Sequence, residues 1–304
     1  MLNPLVVWRV VDGKRGHERQ TQGLVKALQQ QLDLQVFDVP RLTFFMAFWS
    51  WLSGRFITKL NLPRPSVVIG AGHGTHLTML AVRRALDAKT IVLMCPSLPL
   101  VWFDLCIIPE HDGVHAQNVL TSKGALNPVQ AGAQKDQQLG LILLGGLSHH
   151  YDWDDAVIMR QLAELVVNHA EINWIISTSP RTPESILHLL RDLHFTNVSV
   201  VDFHEVNADW LPNKMSQAAN IWVTPDSVSM IYEALTAGAS VGVFDLAPKS
   251  GSKVVQGIAD LVSSKYLTPY HDWEKHRVLA STRVTFNEAA RCARWIKQHW
   301  FPEN

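Results

Sequence analysis

An α/β chain of two doubly wound domains is the fold class predicted by three features of this sequence. Its 304 residues exceed what a usual single core accommodates, and 47% hydrophobic content suffices to bury two. Strand-like apolar runs alternate with helical patterns through both halves, the rhythm of parallel sheets covered by helices. Between the halves, GALNPVQAGAQKDQQ at 124–138 is polar, contains Gly and Ala, and lacks apolar periodicity, as a linker does.

In the first half, LVVWRVV (5–11) is a strand, 18–31 a helix, LQVFDV (34–39) a strand and SVVIGA (66–71) another. A helix over 75–86 follows, then the strands TIVLMC (90–95) and DLCIIP (104–109). The second half opens with LGLILLGG (139–146), a buried strand ending in a glycine pair, followed by a helix over 154–169 and the strand INWIIST (172–178). A helix over 183–193, the strands VSVVDF (198–203) and NIWVT (220–224), a helix after Pro225 and the strand SVGVFD (240–245) complete it. The expected domains are 1–135 and 136–284, with 285–304 a helix that packs back on the first.

Lys+Arg 27 against Asp+Glu 27 gives formal net charge zero, which argues against a nucleic-acid partner that relies on a basic field. Three scattered cysteines, Cys95, Cys106 and Cys292, form neither a disulfide framework nor a CxxC zinc site, and a reducing cytosol fits them. Met1 leads almost at once into LVVWRVVDG, without the cleavable pattern of a secretory signal.

The most apolar stretch, LTFFMAFWSWLSGRF at 42–56, is too short to span a bilayer and is flanked by Arg41, Arg55 and Lys59. Its residues Phe44, Phe45, Phe48, Trp49, Trp51 and Phe56 suit an interfacial segment on anionic lipid, and equally a helix packed inside the first domain. An anionic membrane surface is therefore a candidate partner through 42–59. The expected location is cytoplasmic, at the inner face of the membrane if that contact forms.

VTPDSVSMIYEALTAGASVGVF at 223–244 joins a helix to a buried strand. Thr224 reads as N-cap, Pro225 as first-turn residue and Gly238 as C-terminal stop. Asp226 and Glu233 are seven positions apart, about 20° short of two turns, so their carboxylates are expected near one face. Free amides at the helix start, with the hydroxyls of Ser227 and Ser229, suit a diphosphate, and Glu233 suits the vicinal hydroxyls of a ribose. A capped amphipathic helix with solvated carboxylates has the same pattern.

In open α/β sheets, ligands bind beyond the carboxyl ends of strands, and four loops there carry chemistry-bearing residues. Gly13, Lys14, Gly16 and His17 follow the first strand, where histidine suits proton transfer and the glycines allow close approach. Gly72, His73 and His76 lie in GAGHGTH, which lacks the third glycine of a dinucleotide fingerprint and reads as a substrate-facing loop, not a metal site. Gly145, Gly146 and Ser148 lie in GGLSHH, where backbone amides of the glycine pair suit a phosphate. Nearby, Asp152 and Asp154 match a DxD signature by letter, and one or the other reads as an N-cap. Arg181, in STSPRTP, is either a diphosphate clamp or a solvated arginine.

The second half resembles the donor domain of GT-B glycosyltransferases, including the enzyme that adds N-acetylglucosamine to the lipid-linked peptidoglycan precursor. LILLGG with Ser148 is similar to that fold's first donor strand and phosphate loop, and Phe203 and His204 fall at its uracil-contacting segment. Glu233 with Gly238 is similar to its ribose-binding Glu-x4-Gly, and Gly16-His17 to its N-terminal Gly-His, whose histidine is the candidate base. Lys249, Ser250 and Ser252 stand where that enzyme has sugar-contacting glutamines, so the sugar is left open. Over nearly its full length, through DGKRGHERQTQGL, GAGHGTH and TPDSVSMIYEAL, the chain resembles the elongated-mitochondria fission family and its bacterial relatives, lipooligosaccharide outer-core glycosyltransferase-like proteins.

The resemblance implies two Rossmann-like domains facing a cleft in a GT-B-like fold. It implies transfer of a sugar from a nucleotide-diphosphate donor, UDP-linked, to a cell-envelope glycolipid or saccharide. His17 is the expected catalytic base and no metal or cofactor is expected, the nucleotide sugar entering as substrate. Donor contacts fall to Gly145, Gly146, Ser148, Arg181, Phe203, His204, Asp226, Ser227, Ser229 and Glu233. Acceptor contacts fall to Gly13, Lys14, Gly16, Gly72, His73 and His76. Two other activities are compatible with the same residues, a nucleotide-sugar 2-epimerase and a membrane-surface adaptor without catalysis.

Overall fold

The computed structural model describes residues 4–56, 60–280 and 286–302. The flanking charge of Lys59 and a helix start at Thr285 lie outside the described residues. The chain divides into one unit of Met1–Pro128 with Asn287–Asn304 and a second of Val129–Phe286.

The first unit is a six-stranded parallel sheet formed by β1 (Leu5–Val11), β2 (Leu34–Pro40), β3 (Val67–Ala71), β4 (Lys89–Leu93), β5 (Leu105–Pro109) and β6 (Val119–Ser122). Their order is β2-β1-β3-β4-β5-β6. Helices α1 (Arg15–Gln29), α2 (Phe44–Ser53) and α3 (His76–Leu86) connect the first four strands. Both sheet faces are covered, so apolar residues run on continuously along the strands. Val7, Ile69, Ile91 and Ile107 face α1 with Leu24 and Leu28, while Trp8, Val68, Val92 and Ile108 share the opposite core with Met79 and Leu80 of α3.

The second unit repeats the plan with β7 (Asp136–Leu143), β8 (Asn173–Ser177), β9 (Val198–Val201), β10 (Ala218–Val223), β11 (Ser240–Val243) and β12 (Thr268–Pro269), ordered β12-β11-β10-β7-β8-β9 and parallel throughout. Its helices are α4 (Asp155–Asn168), α5 (Glu184–Arg191), α6 (Trp210–Gln217), α7 (Val228–Ala237), α8 (Lys253–Ser263) and α9 (Tyr270–His276). Trp174, Trp222, Trp273 and Phe244 are fully buried in its core.

The last helix, α10 (Glu288–Trp300), belongs to the first unit and packs on α1 through Cys292, Ala293 and Ile296. Its first turn is clasped to the end of β6. Glu288 Oε2 accepts from Lys123 N at 2.9 Å and from Arg291 Nε at 3.0 Å, and Arg291 donates in turn to the Thr121 carbonyl.

The division between units falls at Pro128/Val129, ahead of the 135/136 boundary read from composition. Val129 is already in the second core, and Lys135 Nζ donates to the Met215 and Ser216 carbonyls at 3.1 and 2.9 Å. Burial there lowers the Lys135 pKa to about 8. The polar linker is thus a packed connection whose last residues begin β7. Strands β6 and β12, of four and two residues, were too short to leave a pattern, and α6 was obscured by Pro212 in its first turn.

Candidate functional site

In a parallel sheet, the loops that share the carboxyl edge and part in opposite directions leave a crevice at the switch point. In the second unit this point lies between β7, which winds outward through β8, and β10, which lies on its other side. Three loops are tied together there. Gly145 N donates to Thr224 Oγ1 at 2.7 Å, and Gly146 N donates to Asp226 Oδ2 at 2.9 Å. From the loop after β8, Ser179 Oγ and Thr182 Oγ1 donate to the Gly145 carbonyl at 2.6 and 2.7 Å. Arg181 Nη1 then meets Asp226 Oδ2 at 2.9 Å and the Leu147 carbonyl at 3.2 Å.

This network revises three expectations. The amides of the glycine pair are taken by Thr224 and Asp226, so they do not cradle a phosphate. A side chain at Gly146 would place its Cβ 1.7 Å from the Arg181 carbonyl, so the glycine there serves the close meeting of two loops. The helix begins at Val228 with Ser227 as N-cap, not at Thr224, because Thr224 and Asp226 turn toward the neighbouring loop. Asp226 therefore precedes the helix and does not share a face with Glu233. It is a fully buried side chain that holds Gly146 and Arg181 in place. Burial pushes its carboxyl above the usual range, against the pull of the Thr224 hydroxyl, the Gly146 N–H and Arg181.

What this edge presents outward is the Arg181 side chain, 43% exposed, and the start of α7, whose first-turn amides have no intrahelical acceptors. Ser229 is exposed, and Glu233 lies one turn deeper on the same face, buried within α7. Ser227 is buried at the cap. Phe203 and His204, whose tilted rings lie 3.8 Å apart between centroids, follow β9 on the same edge, with Phe203 N donating to Thr178 Oγ1 at 3.1 Å.

Ser148 accepts from His150 N and Tyr151 N at 3.2 and 3.1 Å, which closes its own loop, and its carbonyl accepts from Lys249 Nζ at 3.1 Å. Beside it opens a cavity of about 450 Å³ lined by Lys249, Ser250, Gly251, Ser252 and Lys253, with Ser252 Oγ 2.9 Å from His150 Nδ1. Asp154 caps α4 by accepting from Ala156 N and Val157 N, and Asp152 pairs with Lys249. Among the described residues, no group of three or more His, Cys, Asp or Glu side chains is placed to hold a metal ion.

In the first unit the switch point lies between β1 and β3. His17 falls in the first turn of α1, not in the preceding loop, and its Nδ1 is 2.9 Å from Asp12 Oδ2. The Asp12 side chain is 3% exposed and that of His17 18%. Burial works to raise the Asp12 pKa, but the His17 hydrogen bond, the Lys14 N–H and nearby positive charge outweigh it and hold the carboxyl below its ordinary value. An ionised Asp12 makes Nδ1 the protonated nitrogen and leaves the lone pair on Nε2, the arrangement of an oriented general base. Gly72, at φ +76°, lets the imidazole lie on the backbone, since a Cβ there would fall 2.2 Å from His17 Cε1.

Gly13, Lys14 and Gly16 are exposed beside this pair, and the Gly13 amide donates to Glu18 Oε1 at 3.0 Å. His73 is exposed as well. His76 is not substrate-facing: it is 2% exposed, packs edge-on against Phe103, and has its pKa lowered to about 4 by burial and by the charge of His73. Asp12, which opens the loop after the first strand, and Arg41, read only as a flank of the apolar stretch, had no role assigned from the sequence. Both lie near Gly74, the Arg41 guanidinium at 3.1 Å and Asp12 Oδ2 at 3.6 Å from where its Cβ would be. Their positions at the carboxyl ends of β1 and β2 were the available signal.

Residues 15–300 match the family described as mitochondrial fission ELM1. The chain belongs to that family. This ELM1-family chain is also 22% identical over 296 residues to the uncharacterized protein RP120 of Rickettsia prowazekii (strain Madrid E), covering 78% of this chain and 82% of that protein. Among solved structures it is similar to the UDP-GlcNAc 2-epimerase of Methanocaldococcus jannaschii, with TM-score 0.58, 10% identity and coverage of 97% and 100% of the two chains. The UDP-GlcNAc 2-epimerase of Neisseria meningitidis bound to UDP-GlcNAc gives 0.55, 12%, 98% and 100% for the same measures. The calicheamicin glycosyltransferase CalG4 gives 0.54, 10%, 98% and 98%. At such identity the likeness shows the fold, and the ELM1-family chain has the two-domain GT-B-like architecture of these epimerases and this glycosyltransferase.

Proposed function

We propose that this chain is a glycosyltransferase whose second unit binds a nucleoside-diphosphate sugar and whose first unit supplies the base for an acceptor hydroxyl. The observation that carries the reading is the Asp12–His17 pair at the first switch point. A buried, ionised carboxylate holding Nδ1 leaves Nε2 to accept a proton, which supports an oriented base more strongly than a structural histidine. In the second unit, Arg181 and the start of α7 supply positive potential for the diphosphate. Glu233 accepts from the ribose hydroxyls, and the cavity beside Lys249 and Ser252 receives the sugar. The developing charge of the departing diphosphate is met by these fixed groups, without a metal ion or other cofactor. UDP is the nucleotide the reading favours, and a cell-envelope glycolipid or saccharide the acceptor.

The test is calorimetric titration with UDP and a panel of nucleotide sugars, followed by product analysis with and without acceptors. Glu233→Ala is expected to weaken donor binding by roughly 1.5–3 kcal/mol, the value of charged hydrogen bonds. No binding across the panel overturns the donor site. Conversion of donor to its C2 epimer without acceptor replaces transfer by epimerisation, a chemistry carried by two of the similar folds described above.

A further inference from the structure

Helix α2 has its apolarity turned outward. Its buried residues are the small ones, Ala47 and Ser50, which let it lie close on α3. The bulky ones face away: Phe44, Phe45, Trp49 and Leu52 are 64, 74, 59 and 47% exposed. A helix packed inside the domain would present the opposite pattern. Two aromatic residues of the run do turn inward, Trp51 under the Arg84 guanidinium at 5.6 Å and Phe56 against Trp8 at 5.6 Å.

A second element extends the face. The 3-10 turn Leu100–Trp102 exposes Val101 by 78% and Trp102 by 40%. A groove of about 390 Å³, lined by Trp51, Arg83, Arg84, Val101 and Trp102, joins this turn to α2 and α3. Arg83 fixes the turn by donating to the Trp102 carbonyl at 2.6 Å and to Asp104 at 3.0 Å. Arg84 and Arg55 are exposed at the margin, and Asp87 is the acid that lines the groove.

We propose that α2 and the Leu100–Trp102 turn form a docking face for an anionic lipid bilayer. Ten residues of helix extend about 15 Å, half of what spanning requires, so α2 lies in the headgroup layer with its aromatic side chains inserted. Arg55 and Arg84 then meet lipid phosphates. Charge selects this occupant over a second copy of the chain, because a two-fold contact through this face would bring the same arginines together. The docking stands without the catalytic reading. Where that reading also holds, the acceptor is membrane-borne, since Arg41 beside the Asp12–His17 pair lies two residues before Thr43, the cap of α2.

Co-sedimentation of the full chain with vesicles of phosphatidylcholine alone, or with about a third phosphatidylglycerol, tests the face without donor or acceptor. Binding is expected only to the anionic vesicles, and to fall as salt is raised. Phe45→Glu with Trp49→Glu, and separately Val101→Glu, are each expected to lower partitioning by about tenfold or more while leaving the thermal midpoint near that of the parent. Absence of binding, equal binding by the variants, or equal binding to neutral vesicles overturns the proposal. Unfolding of the variants overturns it too, because it makes the face a core. Loss of a dimer in the variants without vesicles assigns the face to a second copy. Failure of docking leaves the titrations of the second unit untouched, so the two readings fail separately.

Discussion

His17 and His76 both follow strand ends at the carboxyl edge of the first sheet, and their surroundings give them opposite chemistry. His17 has a carboxylate partner at 2.9 Å and partial access to solvent, whereas His76 is buried with its Nε2 making no hydrogen bond. Asp12→Asn keeps the shape of the pair but removes the charge that selects the tautomer. It is expected to lower kcat by about 10²–10⁴ with donor affinity unchanged, and to shift the acidic limb of the pH–rate profile, which a purely structural Asp12 would not move. His76 makes a stability prediction. Its folded pKa, about 4, lies below the ordinary 6.5, so the unfolded chain binds the proton more readily and stability falls as the pH drops from 6.5 toward 4. The loss assigned to this group is about 2 kcal/mol by pH 5. Urea unfolding of parent and His76→Leu between pH 7 and 5 should show the variant with the flatter dependence, and parallel curves would remove His76 as its source.

At the scale of elements, helix ends carry most of what positions the sites. α7 starts three residues later than its cap signals suggest, because Thr224 and Asp226 bond to the glycine loop across the switch point. The spacing of Asp226 and Glu233 was visible in the sequence, but helical geometry applies only to residues inside the helix. The pair that shares a face is Ser229 and Glu233. α10 shows the same dependence on its first turn, where buried Glu288 holds Arg291 and the Lys123 amide. Glu288→Ala leaves the Arg291 guanidinium without its carboxylate partner and is expected to destabilise the first unit by about 1–3 kcal/mol. Chemical denaturation followed by intrinsic tryptophan fluorescence, to which Trp295 and Trp300 of α10 contribute, measures the shift, and an unchanged midpoint would make the clasp incidental.

For the whole molecule, strand and helix periods in the sequence dictated the class of fold and pointed to the sheet edges that carry the candidate sites. Strand and helix periods are local properties, and the parallel order they imply puts every strand's carboxyl end on one side of its sheet. That is why His17, Gly72 and Arg181 were legible in the sequence as edge residues. Tertiary structure decided the roles among them. It spent the glycine-pair amides on Thr224 and Asp226, withdrew Asp226 and His76 from the surface, and added Asp12 to His17. It also turned the aromatic face of α2 outward, where the sequence left membrane contact and core packing equally open. Each of these outcomes depends on which side chain of one loop meets which backbone group of another, and contacts between residues far apart in the chain leave no periodic trace in it.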